Sequence, residues 1–218
     1  MTIQSEHRPA TLPVRTDTLA KLIQNRRSVR KYLDRPVPPE YIEQILESAR
    51  WAPSPHGRQP WRFAVITSQQ MKLRLAVEMG TMWRQNLQMD GQSAEIVDIR
   101  LEKSRQRIFN APVIIIPCLY LEDLDPYPDQ RRQADEKTMA IQSIGAAIQN
   151  MLLMAYDLGL DAGWMCAPLF CPEIVCEVLD VDARLIPQAL ITIGYAAEDP
   201  KRRERLPLSS LIVRFDEQ

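Results

Sequence analysis

The sequence predicts an α+β fold, a sandwich of helices on a sheet rather than a doubly wound parallel sheet. Three observations carry that expectation. Helical and strand patterns interleave along the chain without a regular β-α-β rhythm. Pro112-Val113-Ile114-Ile115-Ile116 is a continuous apolar run, which suits a central strand covered on both faces. Residues 137–158 place Ile141, Ile144, Ala147, Ile148, Met151, Leu152 and Ala155 at helical spacing, a wide apolar stripe that ends near Gly159 and should form the spine of the fold. With 218 residues, 45% of them apolar and 25% charged, the chain suits one buried core. Residues 17–218 are therefore expected as a single domain, and the polar, proline-containing residues 1–16 as a flexible arm.

The elements follow in order. Leu19, Leu22 and Ile23 share one helical face behind Asp17 or Thr18 as a cap, so a first helix delivers a group of arginines at its C-terminal end. Pro38-Pro39 opens a second helix, carrying Ile42, Ile45, Leu46 and Ala49 until Pro53 stops it. Ser54-Pro55-His56-Gly57 is a loop, Trp61 to Ile66 a strand, and residues 69–79 a third helix. Residues 80–110 turn polar, with Met82, Trp83, Leu87, Met89, Ile96, Ile99 and Leu101 scattered, and are expected as a helical excursion of two helices. Beyond the long helix, Gly163-Trp164-Met165 suits a short strand, Pro172 starts a helix through Leu179, and residues 189–195 form a final strand.

Two short basic stretches stand near opposite ends of this chain of formal charge −1: Arg26-Arg27-Ser28-Val29-Arg30-Lys31 and Lys201-Arg202-Arg203-Glu204-Arg205. Arginine grips phosphate oxygens bidentately and stays charged at any working pH, so the pair could hold one phosphate; equally, short basic runs often simply face water. The seven glycines fall in neither G-x-G-x-x-G nor G-x-x-x-x-G-K spacing, so a nucleotide cannot be cradled by backbone amides at a helix start. The near-neutral charge argues against general nucleic-acid binding. Cys118, Cys166, Cys171 and Cys176 lack C-x-x-C spacing and accompanying histidines; they are expected as buried thiols in a reducing compartment, with no metal and no disulfide framework. Residues 1–16 have no apolar core of the secretory type, and no stretch reaches the roughly 20 apolar residues of a spanning helix. The expectation is a cytoplasmic protein with no membrane partner.

The string Arg26-Arg27-Ser28-Val29-Arg30-Lys31-Tyr32, followed by a proline-initiated helix and then by Ala52-Pro53-Ser54-Pro55-His56-Gly57-Arg58-Gln59-Pro60-Trp61-Arg62-Phe63, resembles the N-terminal half of the flavin-dependent nitroreductase family. The residues from Ile144 to Gly159, Gly163-Trp164, Ile193-Gly194-Tyr195, Pro200-Lys201 and Arg203-Glu204-Arg205-Leu206-Pro207 resemble its C-terminal half, in the family's order, so the likeness runs from about Leu19 to Leu208. The resemblance implies a three-layer α-β-α sandwich with a mixed, mostly antiparallel sheet around a long central helix. It also implies a homodimer with FMN at the interface. Arg26, Arg27, Ser28 and Arg30 would contact the FMN phosphate and ring, and Arg203 with Arg205 would close on the same phosphate. From the partner subunit Pro53, Ser54, Pro55 and Gly57 would line the isoalloxazine, with Gln59 and Trp61 fixing that loop, while Pro168 and Leu169 lie where a backbone amide meets the reactive ring nitrogen.

Two positions depart from the family pattern. Gly57 stands where many relatives have asparagine, and Phe170 where the enteric nitroreductases have an acidic residue. Leu169-Phe170-Cys171-Pro172 with Val175 and Leu179-Asp180 is more similar to the flavin domain fused to the glutamyl ligase of deazaflavin-cofactor biosynthesis. Flavin chemistry needs little from side chains, so no catalytic triad is expected. His56 is a candidate proton donor, or else merely caps a turn; Trp83 and its methionine neighbours suit an apolar lid or a packing surface. The expected reaction is ping-pong: NADH or NADPH delivers hydride to FMN, leaves, and an electron-poor nitro, quinone or enone acceptor takes two electrons. The alternative is reduction of a conjugated double bond in a deazaflavin-cofactor precursor by reduced FMN supplied from elsewhere, and a non-enzymatic flavin binder or an enzyme that consumes its flavin are further alternatives.

Overall fold

The computed structural model describes residues 18–216, so the expected arm at residues 1–16 lies outside the described residues. Six helices and five strands form three layers: α1 (Leu19–Asn25), α2 (Pro39–Arg50), β1 (Trp61–Ile66), α3 (Gln69–Met89), α4 (Ala94–Phe109), β2 (Val113–Leu119), α5 (Gln130–Asp157), β3 (Asp161–Met165), α6 (Pro172–Leu179), β4 (Ile186–Pro187) and β5 (Leu190–Gly194). The sheet runs β1-β2-β5-β3, every neighbouring pair antiparallel, and β4 continues the β5 side of β2 through Cys118 opposite Pro187.

The apolar run of β2 works as expected of a strand covered twice. All seven residues are buried, and their alternation divides two cores. Val113, Ile115 and Leu119 face the layer of α2 and α5 with Ile45, Ala49, Ile144, Ile148 and Met151. Ile114, Ile116 and Cys118 face the opposite layer with Leu75 and Met79 of α3, Ile108 of α4, and Val175 and Val178 of α6. Lys72 is buried at the edge of this second layer, where its Nζ donates to the Ala111 carbonyl oxygen at 2.7 Å and burial lowers its pKa.

Several boundaries differ from the sequence expectation, each for a local reason. α3 runs on to Met89, so the excursion is the second half of α3 plus α4 rather than two further helices. A single glycine such as Gly80 does not break a helix, and no proline intervenes. α5 starts at Gln130, capped by the Asp129 side chain accepting from the Arg132 backbone amide at 2.9 Å. That first turn of polar and charged residues carries no apolar stripe to read. It also makes α5 a helix long and apolar enough to cross a bilayer, contrary to the expectation of no such stretch; here its buried face is the core described above. Of the four cysteines, Cys166 is exposed, which corrects its reading as a buried thiol, while Cys118, Cys171 and Cys176 are buried. Burial pushes the Cys118 thiol up to about 12.

Candidate functional site

The first basic stretch leaves α1 directly onto an outer strand. Ser28 pairs in parallel with Ala162 of β3, and the Val29 amide donates to the Ala162 carbonyl at 3.0 Å. The Tyr32 hydroxyl lies 2.8 Å from the Val29 carbonyl oxygen and 2.7 Å from the Thr192 hydroxyl, so it can donate to one while accepting from the other. Burial pushes Tyr32 ionisation well above the ordinary tyrosine range. The approach is close enough to require glycine: a Cβ on Gly163 would lie 2.4 Å from the Val29 carbonyl oxygen and 2.8 Å from Thr192 Oγ1.

The second basic stretch reaches the same place from the other end of the chain. Past β5 the chain runs beside residues 31–33, with Leu33 donating to the Tyr195 carbonyl at 2.8 Å and Ala197 to the Lys31 carbonyl at 3.0 Å. Residues 201–205 then cross the end of α1, where Arg202 Nη2 donates to the Gln24 carbonyl and to Asn25 Oδ1, each at 3.1 Å. Between the two stretches lies a groove of about 1070 Å³ lined by Arg26, Arg27, Ser28, Arg30, Lys201, Arg202, Arg203 and Arg205, with Ile23, Gln24, Gln149 and Pro200. The solvated-surface alternative loses ground here, since unrelated surface runs have no reason to converge from 177 residues apart.

Among the described residues, seven cations and no carboxylate line this groove. Arg26 is partly buried; burial first, then Arg205 and Arg27, lowers its pKa, and its Nε is buried with no hydrogen-bond partner. A buried donor left unsatisfied is costly, and an anionic oxygen in the groove would satisfy it. Arg27 is partly committed, because its Nη1 turns back on the carbonyl oxygens of Gln24, Asn25 and Arg26 at the end of α1. These features fit the phosphate of FMN: convergent guanidinium groups, a hydroxyl at Ser28, and no competing acid. Gln149 of α5 is a groove residue the sequence reading lacks, and Arg202, expected there as part of the second basic stretch, proves also to be its tether. Gln149 follows Ile148 on the apolar stripe, a polar residue beside a core position that could have been noticed.

The remaining expected residues lie elsewhere in the chain. Ser54 to Gln59 form a tight loop after α2: His56, Gly57 and Gln59 have φ of 51°, 66° and 50°, left-handed values that two of them adopt without being glycine. Ser54 Oγ accepts from the Gln59 backbone amide at 3.1 Å, and Trp61 is buried. His56 is exposed, with Nε2 3.8 Å from an oxygen of Asp125, which also pairs with Arg58. None of Pro53, Ser54, Pro55, His56 or Gly57 lines the arginine groove. In the turn at Ala167–Phe170, Pro168 is buried, Leu169 and Phe170 are exposed, and the Leu169 amide donates to the Cys166 carbonyl at 3.1 Å. Trp83 sits partly exposed on α3.

A model of the nitroreductase family matches residues 23–195, which include both walls of the sheet and the first arginine stretch. The chain belongs to the nitroreductase family. Among curated relatives of this nitroreductase-family chain, a protein of Methanothermobacter thermautotrophicus described as an NADH dehydrogenase/NAD(P)H nitroreductase is 31% identical over 84% of this chain and 79% of its own length. An NADH dehydrogenase of Thermus thermophilus is 30% identical over 94% of this chain and 98% of its own. The crystal structure of a protein from Desulfovibrio desulfuricans described as a nitroreductase, in complex with FMN, superposes with a TM-score of 0.71 at 28% identity, covering 93% of this chain and 100% of that one. The α-β-α layering expected from the resemblance is the observed one.

Proposed function

We propose that this chain is an FMN-dependent NAD(P)H oxidoreductase that reduces an electron-poor small molecule of the nitro, quinone or enone type, working as a homodimer. The observation that carries the reading is the meeting of the two arginine stretches in one groove lined by no carboxylate among the described residues, with Arg26 Nε buried and unpartnered there. Arg26, Arg203 and Arg205 hold the phosphate there, Ser28 and Arg30 extend the contact toward the ring, and Arg27 shares its charge between ligand and helix end. The names of the relatives at 31% and 30% identity support nicotinamide as electron donor, and they favour this reading over reduction of a deazaflavin precursor.

FMN held by Arg26, Arg203 and Arg205 would supply two-electron redox chemistry between the reduced nicotinamide and the acceptor, which we read as a ping-pong cycle. The chain's own part is to bind and orient. The strained Ser54-to-Gln59 loop faces none of this chain's groove, which supports its use as Pro53, Ser54, Pro55 and Gly57 on the groove of a second copy. A second copy is supported too by apolar side chains left in the open: Leu19 and Ile23 of α1, Ile141 of α5, and Leu208, Leu211, Val213 and Phe215 beyond the second basic stretch. His56, carried on that loop beside Asp125, is then the group placed to hand a proton to the reduced acceptor.

The test is the visible spectrum of the purified protein, before and after NADH or NADPH without oxygen. A flavin band that bleaches is the expected outcome, and a band that persists with both donors would overturn nicotinamide as reductant. Arg203→Ala should lose its flavin on dialysis; full retention would remove the groove from the cofactor site.

A further inference from the structure

The groove holds more positive charge than one phosphate needs. A phosphomonoester carries between about 1.5 and 2 negative charges at neutral pH, whereas seven cations line the groove. Arg26, Arg27, Arg30, Arg203 and Arg205 are the set assigned above to FMN. Lys201 and Arg202, which line the same groove and are exposed as Arg203 and Arg205 are, stand outside that set. Arg202 is already held in place: Nη2 is bonded to the Gln24 carbonyl and Asn25 Oδ1, which leaves Nη1 and Nε free on a fixed plane. Lys201 makes no ion pair among the described residues. Of the nearby carboxylates, Glu198 pairs with Lys31 at 3.0 Å, and neither Glu198, Asp199 nor Glu204 lines the groove.

We propose that Lys201 and Arg202 form a second phosphate seat, which takes the 2′-phosphate of NADPH and makes NADPH the preferred donor over NADH. The inference rests on the FMN reading above. The pyrophosphate is common to both dinucleotides and carries about one charge per phosphorus, so it cannot be what a selective seat reads. The 2′-phosphate is a dianionic monoester that presents three oxygens, the form best matched by a fixed guanidinium and a mobile ammonium converging on it. A guanidinium anchored before the ligand arrives loses little freedom on binding.

The test uses 2′,5′-ADP and 5′-AMP, which differ only in the 2′-phosphate, as probes titrated calorimetrically into the FMN-loaded protein. The expected result is at least about tenfold tighter binding of 2′,5′-ADP, the scale of one charge-assisted contact. Lys201→Ala and Arg202→Ala should each erode that margin, and Lys201→Ala should lower the ratio of kcat/KM for NADPH to that for NADH by about the same factor. Equal affinity for the two probes, or a preference that survives both substitutions, overturns the second seat. The flavin band recorded on the same samples reads the cofactor assignment separately: protein without FMN that still prefers 2′,5′-ADP keeps this seat and fails the first one.

Discussion

Residues 26–30 step from α1 straight onto β3, tied by a backbone bond to Ala162 and by the Tyr32 hydroxyl to Thr192, whereas residues 201–205 follow the last strand as exposed, irregular chain fastened to α1 through Arg202. One wall of the groove is therefore part of the sheet and the other is laid against it. The fixed wall has its freedom removed by folding, so its arginines meet a ligand already ordered. On the laid-on wall only Arg202 is held beforehand, so the other side chains would give up freedom on binding a ligand. Arg26 and Arg205 repel each other across the groove, a repulsion that an anion between them would relieve.

Gly163→Ala should break the contrast most severely. Its methyl group would collide with the Val29 carbonyl, an atom of backbone that cannot step aside, so a loss of about 2 to 3 kcal/mol in denaturant unfolding is expected together with loss of flavin. Unchanged stability would mean that the first wall is not set by the sheet. Tyr32→Phe should cost about 1 to 2 kcal/mol, because a buried carbonyl loses its donor. The same variant has a pH signature. Tyr32 ionises near 10.0 in the unfolded chain but stays protonated well beyond that when folded, so the folded state binds the extra proton and its stability falls as pH rises above about 10. That alkaline slope should be shallower in Tyr32→Phe; identical slopes would show that the hydroxyl is not the group responsible. Arg202→Ala sharpens the other side of the comparison. It should change unfolding stability by less than about 1 kcal/mol, as exposed charged contacts usually do, while flavin dissociates a fewfold faster from a wall that has lost its tether. A large loss of stability would place that wall within the folded core instead.

The layered fold was legible where burial leaves a simple pattern. The unbroken apolar β2, which lies between two cores, and the stripe from Ile144 to Ala155, which packs into the first of them, announced the central strand and the helix across it, while Ile141 of that stripe is exposed. The first turns of α5 and the latter half of α3 were not legible, since a helix held by capping and by continuity rather than by an apolar face carries no period to detect. Strand β4 spans only Ile186 and Pro187, too short for any alternation. At the site, both arginine stretches were legible as residue types. Their convergence was open as one of two readings and was implied by the family resemblance; the path that achieves it was not legible, because nothing in a local window says that Tyr195 to Ala197 returns beside Lys31 to Leu33. The turning back of Arg27 onto the carbonyls of α1 was hidden for the same reason: a helix end is visible in sequence, but the side chain that finishes it is chosen in three dimensions.

That return of the chain beside its own beginning also sets a timetable. During synthesis the first wall emerges early, yet the strands it leans on, β3 and β5, come more than a hundred residues later, and Arg202 and Arg205 later still. Long-range pairings of this kind form slowly and only once both partners are present. The two arginine stretches are therefore brought together only late in synthesis, and on the reading proposed above FMN binding would be one of the last events of maturation rather than a seed for it.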